Sequence, residues 1–290
     1  MCLAMLLLVG TLHAQVQPDW TTPIAPFQIA DNLYYVGSKD LASYLVVTPA
    51  GDILINSSLQ SSPPLIRKSV EQLGFRFQDI RILLISHAHS DHDAGSAEIK
   101  RWTGAKYMVM DADVPVVESG GAKDFAYPNH RYPAVKVDRV LHDGDQVRLG
   151  GVVLVAHKTP GHTRGCTTWT MQVREAGRLR NVVIVGSWYV NPGYRLVGRP
   201  GQPASYPGIA ADYQRSFAVL KGLPCDIFLG AHGQYFDMLA KLKRAQAGAG
   251  ETVWIDPQGY QAALAKTEQE FDAELQRQEE QATHPAPRKK

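Results

Sequence analysis

Seven consecutive residues, His87 to Asp93 (HAHSDHD), hold three histidines and two aspartates in a chain with only ten histidines among 290 residues. Imidazole nitrogens and carboxylate oxygens at close spacing are ligands for divalent transition metals. In extended chain, residues i and i+2 point to the same side. His87 and His89, leaving the apolar run RILLIS, can therefore aim two imidazoles at one point. Asp91 and His92 come next, and can turn toward a second point as the chain enters a helix. This is not the i, i+4 pair of a helical HExxH site. A catalytic zinc takes three protein ligands and leaves a position for water. Two such sites need six ligands, and this stretch offers four.

The other two are expected in surface loops that follow apolar strands. KTPGHTRG offers His162 and LGAHGQ offers His232, each beside a glycine that lets the backbone approach closely. The set is then five histidines and one aspartate, enough for a three-histidine site beside an Asp-His-His site. His130, His142 and His157 fall outside it. His157 reads as a structural residue at a strand end, and Asp93 as a cap for the helix that follows.

A frame of strands and helices must hold these side chains. LYYVG (33–37), ASYLVVT (42–48) and DILIN (52–56) read as a meander with Gly51 at a turn. Ser61 or Ser62 can cap a helix from Pro63 to Gly74, with Leu65, Ile66, Val70 and Leu73 as its buried stripe. RILLIS reads as a buried strand, followed by a helix over 96–102 and the strand KYMVM. Residues 120–133, with Phe125, Tyr127 and Tyr132, look like a long loop. VLH, VRLGGVVLVAH, CTTWTMQV and NVVIVG read as further strands, and CDIFLGAHG as a strand running into a loop. The last helix, about 258–282, is amphipathic, with Tyr260, Leu264, Phe271 and Leu275 on one face. Mixed strands with helices on both sides favour one layered α/β domain over 15–290.

Composition narrows the class. A 44% hydrophobic and 20% charged chain is globular. A formal charge of +2, with no long basic run before the flexible PRKK tail, leaves no footprint for nucleic acid. Residues 1–14 resemble a secretory signal, with an apolar run Leu3–Val9 and Ala14 before the cut. No Lys or Arg precedes that run, which fits a truncated or misassigned start. The run is shorter than the roughly 20 residues of a membrane span. A periplasmic or secreted monomer without stable membrane association is expected. Cys166 and Cys225 make no disulfide framework, and the absence of CxxC argues against a thiolate metal site.

The order HxHxDH, TPGHT and a late GxHG resembles the metallo-β-lactamase superfamily, over nearly the whole chain from FQIADNLYYVG to the last helix. The resemblance implies a four-layer αββα sandwich, with a dinuclear metal site at the edge between its two sheets. Glyoxalase II-like and lactonase-like members place a metal-bridging aspartate at the end of the strand read here as NVVIVG, and subclass B1 enzymes place a cysteine ligand near it. Here Ser187 stands there. That pattern resembles subclass B3, as do HDGDQVRLGG, TPGHTRGCTTW, VNPGYRLV, AADYQRSF and LPCDIFLGAH. Several B3 enzymes join a cysteine near LPCD to one before the last helix. The second position here is Tyr260, so no such bridge is expected.

The resemblance implies a small-molecule β-lactam substrate and hydrolysis of its amide. Two Zn2+ ions would be held by His87, His89 and His162 and by Asp91, His92 and His232. Zinc lowers the pKa of a bound water toward about 7 and so supplies hydroxide. Asp91 would orient that hydroxide. Tyr194 and Asn191 could donate to the developing oxyanion, a packed loop aromatic being the alternative for Tyr194. Ser187 would touch water or the substrate carboxylate. Phe125, Tyr127 and Trp20 would wall the cleft, with core packing as the alternative. Rivals are a lactone or thioester hydrolase on the same scaffold, a flavodiiron-type oxidoreductase, a nuclease, and a metal-binding protein without catalysis.

Overall fold

The computed structural model describes residues 18–175 and 177–283. The leader read over 1–14 and the PRKK tail lie outside them. Seven strands form the first sheet in chain order: β1 (Phe27–Ala30), β2 (Leu33–Tyr35), β3 (Tyr44–Val46), β4 (Asp52–Ile55), β5 (Ile80–Leu84), β6 (Lys106–Met110) and β7 (Arg139–Leu141). Hairpin-linked β1 to β4 pair antiparallel, whereas β4 to β7 run parallel. Parallel neighbours need crossovers. The helices Pro63–Gln72 and Ser96–Thr103 supply two of them.

The second sheet contains β8 (Gln146–Leu149), β9 (Val152–Lys158), β10 (Thr167–Glu175), β11 (Arg178–Val185) and β12 (Ile227–Gly230), in the order β12-β11-β10-β9-β8. The run VRLGGVVLVAH, read as one strand, is a hairpin instead. Gly150 and Gly151 adopt φ 52° and 92°, the left-handed pair that a tight hairpin turn requires.

Alternation along the first sheet divides two cores. Tyr44, Val46, Ile53, Ile55, Ile82 and Leu84 face the second sheet, together with Trp169, Val182 and Ile184. Leu45, Leu54, Leu83, Tyr107 and Val109 face outward onto Ile66, Val70 and Ile99 of the two crossover helices. The helices Ile209–Gly222 and Pro257–Thr283 bring Tyr213, Phe217, Leu220, Tyr260, Leu264 and Phe271 against the second sheet. The layers are thus helix, sheet, sheet, helix, the expected αββα sandwich. The helix at Pro63 starts after Ser62, but no side-chain cap forms. Ser62 is itself in helical conformation (φ −81°, ψ −25°) where a capping residue is extended, and Pro64 at the second helical position has no N–H to donate.

The sheets meet at one edge. Tyr44 Oη donates to the Gly230 carbonyl at 2.6 Å, and the Ala42 amide donates to the Ala231 carbonyl at 3.0 Å. Trp169 of β10 donates through Nε1 to the Ile85 carbonyl at 3.0 Å, just before the histidine cluster. The C-terminal ends of β5 and β12 therefore lie together, the place where ligands bind in open α/β sheets.

Candidate metal centre

The six predicted ligands converge at that edge. One ligand atom from each of His87, His89 and His162 lies within 4.8 Å of the other two, and the same holds for His87, Asp91 and His92. His232 completes the cluster, with Nε2 3.1 Å from His92 Nε2 and 3.5 Å from Asp91 Oδ2. Both ring nitrogens of His87, and Nδ1 of His92, are buried without a hydrogen-bond partner. Unpaired buried polar atoms are costly. Several of them in one pocket, facing other imidazoles and a carboxylate, fit a pair of divalent cations.

Acceptors behind the imidazoles fix their tautomers. His162 Nδ1 donates to the Tyr189 carbonyl at 2.9 Å, and His232 Nδ1 faces Asp40 Oδ2 at 2.9 Å. Each leaves Nε2 for the centre. His89 Nε2 lies 3.3 Å from Asp124 Oδ2. Burial holds His87 well below the usual imidazole range and lowers His89 to about 4 and His162 to about 3, so all three are neutral ligands at pH 7. Burial opposes charge on His232 too, but Asp40 and Asp91 outweigh it and raise that group to about 9. Burial would raise Asp91, yet His92 and His232 hold it well below the carboxylate range.

Asp40 carried no spacing signal in the sequence. It accepts from Trp20 Nε1 at 3.1 Å and from the Gln234 amide at 3.1 Å as well as facing His232. Asp40→Ala is expected to weaken binding of one metal about 10- to 100-fold, the usual cost of losing a carboxylate behind a ligating histidine. Titration against a competing chelator measures this. An unchanged affinity would reduce Asp40 to a loop fastener.

Asp113 was equally hidden. Fully buried, it accepts from the Ala88 amide at 3.0 Å, Thr163 Oγ1 at 2.8 Å and the Gly165 amide at 2.8 Å. One carboxylate thereby joins the His87–His89 loop to the His162 loop. On the far side of the centre, the His92 carbonyl accepts from the amides of Ser57 and Ser58 at 3.0 and 3.2 Å. Asn56 and Ser58 sit at φ 68° and 58°, a left-handed conformation that residues with a Cβ adopt at a cost. The glycine before His162 has a clear reason: Gly161 has φ 132°, and a Cβ there would meet Tyr213 Cγ at 2.7 Å.

A cavity of about 600 Å³ opens over the cluster. Trp20, Tyr127 and Asn191 line it, together with His130, Tyr189 and Tyr235, which were not anticipated. Asn191 Nδ2 donates to Tyr127 Oη at 3.1 Å, and His130 stacks on Tyr127 with ring centroids 5.0 Å apart. Three expectations are corrected. Phe125 packs edge-on against Tyr194 and Tyr206, away from the cavity. Ser187 is buried behind Tyr235, its Oγ 3.2 Å from that hydroxyl. Tyr194 is buried and donates its only hydroxyl proton to the His162 carbonyl at 2.8 Å, so it braces a ligand loop instead of awaiting an oxyanion.

Tyr194→Phe is accordingly expected to cost about 1–3 kcal/mol of stability, because the buried His162 carbonyl loses that donor. The loss of kcat should stay below the roughly 100-fold of a removed oxyanion donor. Thermal unfolding and steady-state rates measured together distinguish the two roles.

Asp93 is corrected too. It closes the short helix Ser90–Asp93, is fully buried, and accepts from Tyr107 Oη at 2.5 Å, whereas Gly95 precedes the next helix. His157 lies in β9 with Nε2 2.8 Å from Thr170 Oγ1, a structural contact as expected. Cys166 and Cys225 are both free.

A family model described as the metallo-beta-lactamase superfamily matches residues 41–232, a span that contains all six candidate ligands. The chain belongs to that superfamily. Its solved relatives include the native FEZ-1 metallo-beta-lactamase from Legionella gormanii, 52% identical, covering 89% of this chain and 98% of that one, with a TM-score of 0.86. The class B3 di-zinc metallo-beta-lactamase LRA-12 from an Alaskan soil metagenome is 35% identical, covering 91% and 98%, with a TM-score of 0.84. Curated relatives match over less. A hydroxyacylglutathione hydrolase of Rhodopseudomonas palustris (strain BisB5) is 27% identical over 125 residues, and the match spans 43% of this chain and 40% of that protein. Among the described residues, no helix is long and apolar enough to cross a membrane.

Proposed function

We propose that this chain hydrolyses the amide bond of β-lactams (penicillins, cephalosporins and carbapenems) with two bound zinc ions, as a B3-type enzyme that protects its host from these antibiotics. Position 187 carries the reading. A serine stands where thioester and lactone hydrolases of this superfamily bridge their metals with an aspartate. It is turned into the protein against Tyr235 at 3.2 Å. The 52% identity to FEZ-1 supports the same choice.

His87, His89 and His162 would hold one ion, and Asp91, His92 and His232 the other. The ions supply Lewis acidity and lower the pKa of water toward neutrality. The chain does the rest. Asp40 and the Tyr189 carbonyl keep ligand nitrogens aimed. Asp91, kept ionised by His92 and His232, offers a carboxylate to orient the attacking water. Trp20, Tyr127, Tyr189 and Tyr235 give the cavity apolar walls that bind a bicyclic substrate and exclude bulk water. Asn191 presents an amide at the rim, with a second N–H beyond the one given to Tyr127. A monomer acting in the periplasm or outside the cell fits this reading, since the substrates arrive from outside.

A panel of one penicillin, one cephalosporin, one carbapenem, one lactone and one glutathione thioester, each with and without chelator, tests the reading. Hydrolysis of β-lactams that stops on chelation and returns with zinc is expected, with about two zinc ions per chain. Faster turnover of the thioester, the substrate class suggested by the hydroxyacylglutathione hydrolase relatives, would overturn it.

A further inference from the structure

The segment Tyr189–Val197 crosses the molecule as a strap between the metal centre and the last helix. Its middle is the turn Asn191-Pro192-Gly193-Tyr194. Gly193 has φ 91°, and the Tyr194 amide donates to the Asn191 carbonyl at 3.0 Å, the pattern of a Pro-Gly turn. Asn191, Pro192 and Tyr189 line the cavity over the metals on one side. On the other side they line a second cavity of about 380 Å³. Across that space stand Phe271, Glu274 and Arg277 of the last helix. The turn therefore has no packed layer behind it, and its position depends on what holds its two ends.

One end is held at Tyr189, whose carbonyl accepts from Tyr213 Oη at 2.8 Å and from His162 Nδ1 at 2.9 Å. The other end is clasped to Ser205, whose Oγ accepts from the Arg195 amide at 2.9 Å and whose amide donates to the Arg195 carbonyl at 2.8 Å. It is tied to the last helix by one side chain, Gln278. Gln278 Oε1 accepts from the amides of Leu196 at 2.7 Å and Val197 at 3.2 Å. Its Nε2 donates to the Tyr194 carbonyl at 2.9 Å and to Glu274 Oε1 at 2.6 Å. Glu274 is itself gripped by Arg277 through two hydrogen bonds, of 2.7 and 2.6 Å, which orients the Gln278 amide.

From this geometry we infer that Gln278, on the C-terminal helix, is a positioning residue for the substrate wall of the active site. It sets Asn191 by fixing the far end of the turn. It also steadies His162, because Tyr194 joins the same anchor to the His162 carbonyl. An amide suits the task, since only a group with both an acceptor and donors can satisfy two backbone N–H groups and one carbonyl at once.

The test replaces Gln278 with Met, which keeps length and helix propensity and removes all four hydrogen bonds. Gln276→Met is the control, since Gln276 is on the same helix and bonds only Glu280. Hydrogen exchange at the Leu196 and Val197 amides is expected to speed up at least about tenfold in Gln278→Met and stay unchanged in the control. For a β-lactam substrate, KM is expected to rise about tenfold with kcat within about twofold, the signature of lost substrate positioning. Zinc content should stay at the wild-type value. Unchanged exchange at Leu196 and Val197 would overturn the inference, and so would faster exchange with unaltered KM. Loss of zinc together with cooperative unfolding would also overturn it, by making the residue merely structural. The kinetic arm rests on the β-lactam reading, whereas the exchange arm does not. A wild-type enzyme inactive on every β-lactam would sink that reading while exchange still decides whether Gln278 anchors the strap.

Discussion

His162→Ala is expected to lower kcat/KM for β-lactams by on the order of 10³-fold or more, because the depressed pKa of water depends on a fully held metal. Zinc content should fall from about two to about one per chain. The fold should survive, though not for the reason the sequence suggested. His162 is only 5% exposed and not on the surface of its loop. Removing it is tolerable because its one backbone partner is not orphaned: the Tyr189 carbonyl keeps the Tyr213 hydroxyl at 2.8 Å. Circular dichroism, metal analysis and hydrolysis of a carbapenem decide the matter. Full turnover in the variant would remove His162 from the metal set.

Asp113→Ala is expected to have the largest effect on stability among residues that bind neither metal nor substrate. It would strip the Ala88 amide, the Gly165 amide and the Thr163 hydroxyl of a common acceptor in a buried place. Each unsatisfied group costs about 1–3 kcal/mol, so about 3–9 kcal/mol in all. That approaches the roughly 5–15 kcal/mol that holds a domain folded. Nothing can shift in to help, since the backbone at Gly165 already lies so close that a Cβ would meet the Asp113 amide nitrogen at 2.6 Å. Asp113→Asn keeps one acceptor oxygen and should lose about half as much. Denaturant unfolding in zinc-replete buffer gives the comparison. A loss below 1 kcal/mol in the alanine variant would mean that the two ligand loops do not depend on their shared carboxylate.

The candidate donor cluster was legible, because metal binding demands particular atoms at short range and the chain writes four of them within six residues, His87 to His92. Strands buried on both faces, such as β3 and β4, could be read as short apolar runs bounded by turn residues. Roles that depend on direction were not legible. Tyr194 and Phe125 have the right chemistry and lie in the right loops, yet one hydroxyl is committed to His162 and one ring to Tyr194 and Tyr206. A loop sequence fixes neither a rotamer nor which neighbour reaches it first. Asp40, Asp113 and Gln278 lie 192, 50 and 84 residues from His232, Thr163 and Tyr194, the partners they bond. No spacing rule connects such pairs.

By itself, then, the amino-acid sequence put forward the donor set from residue type and spacing and, through its resemblance to the superfamily, the order of layers and, with Ser187, the subgroup. The first rests on residue type at short range; the other two rest on that resemblance, which periodicity alone does not supply. Only the tertiary structure decided which nitrogens of the histidines face the centre, which aromatic rings wall the cavity, and which carboxylates and amides hold the ligand loops. Those are outcomes of packing two sheets edge to edge, where a distant side chain fills the one hydrogen-bonding position that burial leaves unpaired.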